Sequence, residues 1–370
     1  MQYLDEFRHP HTVQNLVAKI HREITGQWVI MEVCGGQTHS ILKYGLDQLL
    51  PPGLELIHGP GCPVCITPLA KIDAAIAIAQ IPGVLFCSYG DMLRVPGSNI
   101  DLMTARSRGA DVRVVHSPMD AVALAKAHPQ REVVLFAVGF ETTAPANAMA
   151  AYTAHQAKLD NFSMVVSHAL VPPALLAMLN TPNSRVQGIL AAGHVCAITG
   201  YDPYLAIAES YLVPIVVTGF EPADILYGIL LCARQLEAGR AEVENQYTRV
   251  VCKGGNLAAN TLTYTVFMPA TAQWRGLGDL PASGLVFTKT YRAFDAEVKF
   301  GIAASVKQHA TDCLAGQVLT GQIKPHQCPA FATRCTPEHP LGALMVSTEG
   351  TCAAYHAYRL RTKGPIHDAH

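Results

Sequence analysis

The sequence predicts an α/β protein with two Rossmann-like, doubly wound domains followed by a small, irregular C-terminal domain. Three observations support this fold class. Short apolar runs alternate with helical segments up to about residue 240, as in proteins built on parallel sheets. Half of the residues are hydrophobic and only 15% are charged, which is typical of compact domains. A length of 370 residues favours two or three domains.

The same alternation sets the expected domain boundaries. A leading helix, at about 12–24, accounts for residues 1–27, and the later domains span residues 28–130, 131–240 and 241–370. The expected strands are 28–33, 54–57, 84–89, 112–116, 132–141, 162–166, 188–194, 213–219 and 285–287. The segment 188–194 includes a turn at its end, at residues 193–194. The expected helices are 40–50, 68–80, 102–108, one from 118, one from 143, 171–179, 222–237 and 256–266.

Composition and motifs exclude several classes of function. A formal net charge of −1 gives no electrostatic case for binding nucleic acid or an anionic membrane. The first residues lack a signal-peptide core and no apolar run is long enough to span a membrane, so we expect a cytoplasmic protein. No turn carries Gly-x-Gly-x-x-Gly, a Walker loop or Gly-x-Ser-x-Gly, so the layout predicts neither a nucleotide site nor a serine hydrolase.

A Cys-x-x-Cys pair, Cys62 and Cys65, lies on a Gly/Pro-rich turn between an expected strand and an expected helix. Gly59 and Gly61 give this turn conformational freedom, and a nearby helix N-terminus would lower the thiol pKa. Eleven cysteines in a cytoplasmic chain favour metal or redox chemistry over structural disulfides. The pair alone fits either a redox site or half of a structural zinc site.

Cys34 occupies the equivalent place after the preceding strand and is followed by Gly35 and Gly36. Because ligands bind at the carboxyl ends of strands in open α/β sheets, Cys34 and the Cys62/Cys65 pair are expected to converge at one sheet edge. His194 also follows a strand and either serves a structural role or reaches a cleft as a functional residue.

Charged residues near other strand ends allow two interpretations. Asp91 and Arg94 either orient a polar ligand or form a salt bridge within their loop. Glu141 and Glu221 occur in repeated Gly-Phe-Glu segments that close a strand and open a helix, so we expect them to cap helix N-termini.

Four cysteines lie in the irregular C-terminal region, separated by 14, 6 and 16 residues: Cys313, Cys328, Cys335 and Cys352. Four thiolates on loops fit an all-cysteine iron–sulfur or zinc site. The short paired spacings of zinc ribbons are absent and Cys328 precedes a proline, which favours a [4Fe–4S] cluster and an iron–sulfur C-terminal domain.

Taken together, three cysteine-bearing segments resemble the HypD family of hydrogenase maturation factors. They are 31–39, 59–65 and the four-cysteine tail, and the resemblance extends in order through 139–143, 193–195, 274–278, 294–297, 324–329 and 349–352. It implies two Rossmann-like domains, a cluster domain and a redox-active assembly scaffold rather than a conventional turnover enzyme.

The resemblance also implies partners, cofactors and residue roles. The family pairs with the small chaperone HypC and carries the Fe(CN)2CO group of [NiFe]-hydrogenase transiently, with cyanide from HypE and, upstream, HypF. The hydrogenase large subunit is reached indirectly through HypC. By position, Cys34 binds this iron, Cys62 and Cys65 are the redox pair, and Cys313, Cys328, Cys335 and Cys352 hold the [4Fe–4S] cluster.

Two departures from the family pattern affect these expectations. Gln37 stands where relatives often have histidine, so His39 remains the candidate ligand or proton relay. Some relatives also carry a cysteine near the position of Ile323, and this chain lacks it. Two other functions use the same residues: a stand-alone iron–sulfur thiol oxidoreductase, and a zinc-stabilised α/β binding protein.

Overall fold

The computed structural model describes residues 5–182, 184–302 and 312–359. Its strands form two parallel sheets, of order β2-β1-β7-β8-β9 and β4-β3-β5-β6, and one antiparallel hairpin, β10-β11. The strands are β1 Trp28–Glu32, β2 Leu54–His58, β3 Val84–Ser88, β4 Asp111–Val114, β5 Glu132–Gly139, β6 Phe162–His168, β7 Gly188–Ala192, β8 Ile215–Thr218, β9 Val243–Asn245, β10 Phe267–Trp274 and β11 Gly278–Phe287.

Helices cover both parallel sheets. They are α1 Asp5–Arg8, α2 Pro10–Glu23, α3 Gly35–Lys43, α4 Pro63–Ile66, α5 Leu69–Ala79, α6 Leu102–Ser107, α7 Pro118–Ala127, α8 Ala144–Gln156, α9 Val171–Leu179, α10 Gly193–Thr199, α11 Asp202–Tyr211, α12 Pro222–Glu237, α13 Leu257–Val266, α14 Ala296–Lys299, α15 Ala315–Leu319 and α16 Thr351–Arg359. The predicted α/β class with Rossmann-like parallel sheets is confirmed. Within the described ranges, no helix has the length and apolar character needed to cross a bilayer.

The sheets do not divide at residue 130, where the sequence suggested a boundary. Strands β1 and β2 pair with β7 and β8, while the intervening β3 to β6 form the second sheet. The chain therefore leaves the first sheet after β2, builds the second, and returns. Alternating strands and helices indicate parallel sheets, but the central strands of both sheets are buried and largely apolar, so the pattern does not say which strands pair.

Register places several polar side chains at one sheet edge. β1 and β2 pair in parallel from Trp28–Leu54 to Glu32–His58, and β1 also pairs with β7 through Glu32 and Leu190. β1 and β2 therefore end level with each other, and β7 ends two residues further along at the same edge. The segments that follow them contain Cys34, the Cys62/Cys65 pair and His194.

Three element predictions differ from the structure. The helix expected at 40–50 is α3, which begins at Gly35 and ends at Lys43, because Gly45 takes a left-handed conformation (φ 63°) before a 3-10 turn. The turn expected at 193–194 is the start of α10. The short strand expected at 285–287 is the end of the longer hairpin strand β11.

Candidate functional site: a thiol cluster at the edge of the first sheet

Cys34 is the residue from which α3 starts, directly after β1. Its side chain is buried, and its Sγ lies 3.6 Å from Nδ1 of His194, the second residue of α10. The half-buried His194 ring stacks on Phe220, with ring centroids 5.0 Å apart. Because β1 and β7 are neighbours, residues far apart in sequence meet at this thiol.

The turn before Cys62 packs directly on Cys34. An added Cβ at Gly61 would lie 2.4 Å from Cys34 Cα, and the Gly35 N–H donates to the Gly61 carbonyl at 2.9 Å. The Gly59 N–H donates in turn to the Glu32 carbonyl at 2.7 Å. The expected convergence of the Cys34 and Cys62/Cys65 segments at one sheet edge is therefore present.

Cys62 and Cys65 form a disulfide, with Cα atoms 5.2 Å apart. Both residues are buried, and Cys62 caps the short helix α4, since its Sγ accepts the Cys65 N–H at 3.2 Å. Cys65 Sγ also lies 3.9 Å from the Ala343 carbonyl oxygen. The pair thus lies between Cys34 on one side and the C-terminal segment on the other.

The environment holds the Cys34 thiol neutral. Burial raises its pKa above the ordinary range and the Glu32 charge adds to this, while backbone N–H groups of Gln37 and Gly36 oppose it. Burial lowers the pKa of His194 to about 4, so its imidazole is neutral near pH 7 and keeps a nitrogen lone pair available. A neutral thiol beside a neutral imidazole can bind a soft metal centre with loss of the thiol proton.

Glu32 is a fully buried carboxylate that organises the Cys34 turn. Its Oε2 accepts the Cys34 N–H at 2.9 Å, and its Oε1 accepts the Thr38 hydroxyl and lies 2.6 Å from His58 Nδ1. His58 Nε2 lies 3.2 Å from the hydroxyl of Tyr355 on α16. A hydrogen-bonded chain thus connects the backbone of Cys34 to the C-terminal helix.

The side chains of Gln37 and His39 are both directed away from the Cys34 thiol. Gln37 is buried and its amide donates to Thr218 Oγ1 at 2.7 Å, which ties α3 to β8. His39 Nε2 lies 3.1 Å from the Tyr358 hydroxyl on α16. The structure therefore brings His194 rather than His39 to Cys34, and the catalytic roles suggested for both histidines stay predictions.

Glu349 is a neighbour of Cys34 to which the sequence analysis assigned no role. An added Cβ at Gly35 would lie 2.5 Å from the Glu349 carbonyl oxygen, and the Glu349 charge helps to raise the Cys34 pKa. Burial, with help from the charge of Asp91, raises the pKa of Glu349 itself. The sequence signals for this residue were its closeness to Cys352 and its place in segment 349–352 of the family resemblance.

The other charged residues at strand ends have structural contacts. Arg94 donates to the carbonyls of Pro337 and Val346, at 3.5 and 3.1 Å, and so binds the C-terminal segment. Glu221 caps α12, as expected. Glu141 instead accepts the Val171 N–H at 2.7 Å, so it caps α9 rather than the helix that follows it.

The four C-terminal cysteines lie close enough to influence one another. Burial raises the pKa of Cys352, and the charges of Cys313, Cys335 and Cys328 raise it further. Cys335 is buried in one apolar cluster with Cys328 and Cys352 packed against it. The Leu341 N–H donates to Cys335 Sγ at 3.4 Å, and a backbone N–H of Ala315 favours the Cys313 thiolate.

Four cysteine thiols are the donor type of all-cysteine iron–sulfur and zinc sites. In residues 5–182, 184–302 and 312–359, no group of three or more His, Cys, Asp or Glu side chains is arranged to hold one metal ion. Backbone N–H donors to sulfur, as at Cys335 and Cys313, are the contacts that tune iron–sulfur clusters.

The fold and site define a class of protein: a doubly wound α/β chain with a shielded thiol site at one sheet edge and a four-cysteine set beside it. The HypD family model, described as the hydrogenase formation hypA family, matches residues 11–359.

Curated relatives match the sequence of this chain along nearly its whole length. The chain is 48% identical to the hydrogenase maturation factor HypD of Rhodobacter capsulatus, covering 97% of this chain and 98% of the relative. It is 45% identical to the HypD protein of Azotobacter vinelandii, over 97% of each chain. It is also 45% identical to the HypD protein of Escherichia coli strain K12, over 97% of this chain and 98% of the relative. The chain belongs to the HypD family and is a hydrogenase maturation factor. That role implies that it works with other maturation factors.

Proposed function

We propose that this chain, together with a HypC-type chaperone, is the scaffold on which the Fe(CN)2CO group of [NiFe]-hydrogenase is assembled. The observation that carries the proposal is the buried Cys34 thiol, 3.6 Å from a neutral His194 and covered by the backbone of the Cys62/Cys65 turn. Low-spin iron with cyanide and CO ligands is compatible with a soft thiolate anchor. One cysteine shared with a detachable chaperone holds such a cargo and still permits its release.

The residues around Cys34 have distinct tasks in this proposal. The Glu32 carboxylate fixes the backbone of Cys34 by accepting the Cys34 N–H, so that the thiol faces His194. The neutral His194 nitrogen is available to the iron or to the thiol proton. Gly35 and Gly61 let the backbones around Cys34 pack closely, since an added Cβ at either position would lie within 2.5 Å of a backbone atom.

Cys62 and Cys65 are proposed as the redox pair. Their conversion from disulfide to dithiol takes up two electrons and two protons, which an external electron donor must supply. Cys313, Cys328, Cys335 and Cys352 would hold a [4Fe–4S] cluster, which when bound supplies electrons singly. Cyanide comes from HypE, loaded through HypF, and the finished group reaches the hydrogenase large subunit through HypC.

Infrared spectroscopy of the anaerobically purified complex with the HypC-type partner tests the anchor. We expect CO and cyanide bands with the native chain, and their loss in Cys34→Ala. Cys252→Ser is the matched control because Cys252 is exposed and lies outside the site. Undiminished bands in Cys34→Ala would show that the anchor assignment is wrong.

The cluster is tested separately by visible absorption and metal analysis. Cys328→Ser should abolish the iron–sulfur absorption while Cys252→Ser keeps it. The Cys62–Cys65 disulfide also suits a stand-alone thiol oxidoreductase. About four irons per chain without diatomic ligands would favour that alternative, and zinc without iron or sulfide would reject both.

A further inference from the structure

The Cys62–Cys65 disulfide is closed to solvent. Cys62 is 2% exposed and Cys65 is 1% exposed, so neither sulfur is open to attack in the folded chain. Thiol–disulfide exchange begins when a thiolate attacks one sulfur of the bond, which requires access to that sulfur. The pair can therefore react with an external thiol only after part of its cover has moved away.

The cover on the Cys65 side is the segment 337–346, which we call the strap. The Ala343 carbonyl oxygen lies 3.9 Å from Cys65 Sγ. The next side chain, Leu344, packs in the same apolar cluster as both cysteines of the disulfide. Residues 342–346 are buried, whereas the first half of the strap is partly or fully exposed. The buried half of the strap thus lies against the disulfide.

The strap has little regular structure of its own. Its Ala343–Met345 portion is a single 3-10 turn. The Met345 N–H donates to the Gly342 carbonyl at 3.1 Å, and the Val346 N–H donates to the Ala343 carbonyl at 3.0 Å. Because these bonds lie within the strap, they stay intact if the strap moves as a whole. Such a segment can open locally without breaking a strand or a long helix.

Arg94 fastens the strap at both ends. It is the last residue of the 3-10 turn Gly90–Arg94, which follows β3 in the second sheet. The Arg94 guanidinium donates to the Pro337 carbonyl at 3.5 Å and to the Val346 carbonyl at 3.1 Å. One side chain next to the second sheet therefore connects the first and the last residue of the strap.

We propose that Arg94 is a positioning residue that holds the strap closed over the redox pair and so limits the access of thiol reductants to Cys65. Once the strap opens, one thiolate of a small dithiol attacks the Cys65 sulfur, and Cys62 leaves as a thiolate and takes up a proton. The second thiolate of the reagent then closes a disulfide within the reagent, and Cys65 is released and protonated. The pair gains two electrons and two protons, and the dithiol is oxidised. The inference rests on the proposed redox role of Cys62 and Cys65.

Two variants of Arg94 and one control test the position of the strap. Arg94→Gln removes the charge and is too short to reach both carbonyls. Arg94→Lys keeps the charge but has a single donor group, so it can hold only one end of the strap. Arg334→Gln is the matched control, because Arg334 lies shortly before the strap but is exposed and paired with Asp312 at 2.9 Å.

The experiment follows reduction of the disulfide by dithiothreitol in the full-length chain, anaerobically and without denaturant. Timed alkylation and mass spectrometry report Cys62 and Cys65 separately from the other cysteines. In Arg94→Gln we expect reduction to be about ten-fold faster than in the native chain, as for the loss of one hydrogen bond from a charged donor. Arg94→Lys should give an intermediate rate, and Arg334→Gln should match the native chain.

Cys87 separates opening of the strap from unfolding in the same sample. It is a free thiol within β3 and is 0% exposed, so it is alkylated only when the second sheet opens. Cys252 is exposed and should be alkylated at once in every variant. We expect the alkylation rate of Cys87 to be the same in Arg94→Gln and in the native chain.

Equal reduction rates in Arg94→Gln and the native chain, or an equal acceleration in Arg334→Gln, would overturn the inference. A rate for Cys87 that rises in parallel with reduction would also overturn it, because Arg94 would then stabilise the whole fold rather than the strap. If Arg94→Gln does not fold, the same two rates in Arg94→Lys decide. All of these results leave the proposed anchor at Cys34 intact. A native chain in which Cys62 and Cys65 form no disulfide would instead overturn the proposed redox pair.

Discussion

Gly61→Ala tests the contact on which the site depends. The new Cβ would lie 2.4 Å from both Cys34 Cα and Gly35 N, and backbone atoms cannot move aside as a flexible side chain can. Overpacking of this kind costs about 1–3 kcal/mol. If the turn lifts away, the Gly35–Gly61 hydrogen bond is lost at a further cost of about 1 kcal/mol. We therefore expect the free energy of unfolding to fall by about 2–4 kcal/mol.

The same change should expose the Cys34 thiol, which is only 1% accessible in the native chain. Urea unfolding measures the stability, and mass spectrometry after timed alkylation measures the accessibility of Cys34. Gly254→Ala is the matched control, since an added Cβ there meets nothing within 4 Å. Replacing glycine at such a site is neutral or stabilises by about 0.4–1 kcal/mol. Equal unfolding midpoints and equal alkylation rates for the two variants would refute the packing described here.

Two further predictions concern buried polar groups. Tyr355→Phe removes the hydroxyl that contacts His58 Nε2. We expect the free energy of unfolding in urea to fall by about 1 kcal/mol and the alkylation of Cys34 to become faster. An unchanged free energy of unfolding would mean that this contact contributes nothing to stability. Burial raises the pKa of Glu141 to about 7, so the folded chain holds a proton that the unfolded chain releases near pH 4.5. This contribution to stability is complete below about pH 4.5 and is lost as the pH rises to 7, by up to about 3 kcal/mol. Glu141→Gln should therefore gain stability relative to the native chain between pH 5 and pH 7.5, and parallel pH profiles would contradict the assignment.

The sequence was sufficient to predict that the Cys34 and Cys62/Cys65 segments meet at one sheet edge, because this prediction depends only on local sequence. Cys34 and Cys62 each follow a short buried strand, and parallel neighbours bring their carboxyl ends to one side. The choice of histidine needed more than local information. His39 is near Cys34 in sequence, but five residues along a helix is about 500° of rotation, which directs it to another face and to Tyr358.

Long-range pairing accounts for what the sequence could not predict. His194 reaches Cys34 because Ile30 pairs with Gly188, a register that buried apolar strands do not encode locally. The pairing of β1 and β2 with β7 to β9, across the inserted second sheet, depends on the same long-range register. Tyr355 reaches His58 only because the C-terminal helix packs on α3. The contacts of Glu32 with His58 and Thr38 likewise depend on the folded chain and are not visible in the apolar strand that contains it.

The insertion of β3 to β6 between β2 and β7 has a consequence for biosynthesis. As the chain leaves the ribosome, the inserted unit is contiguous and can fold before the surrounding one, because domains generally fold as units during synthesis. Strands β1 and β2 must wait for β7 to β9 before their sheet can close. Throughout that interval the sulfhydryl groups of Cys34, Cys62 and Cys65 lack the cover that the later strands and the C-terminal segment give them in the finished molecule.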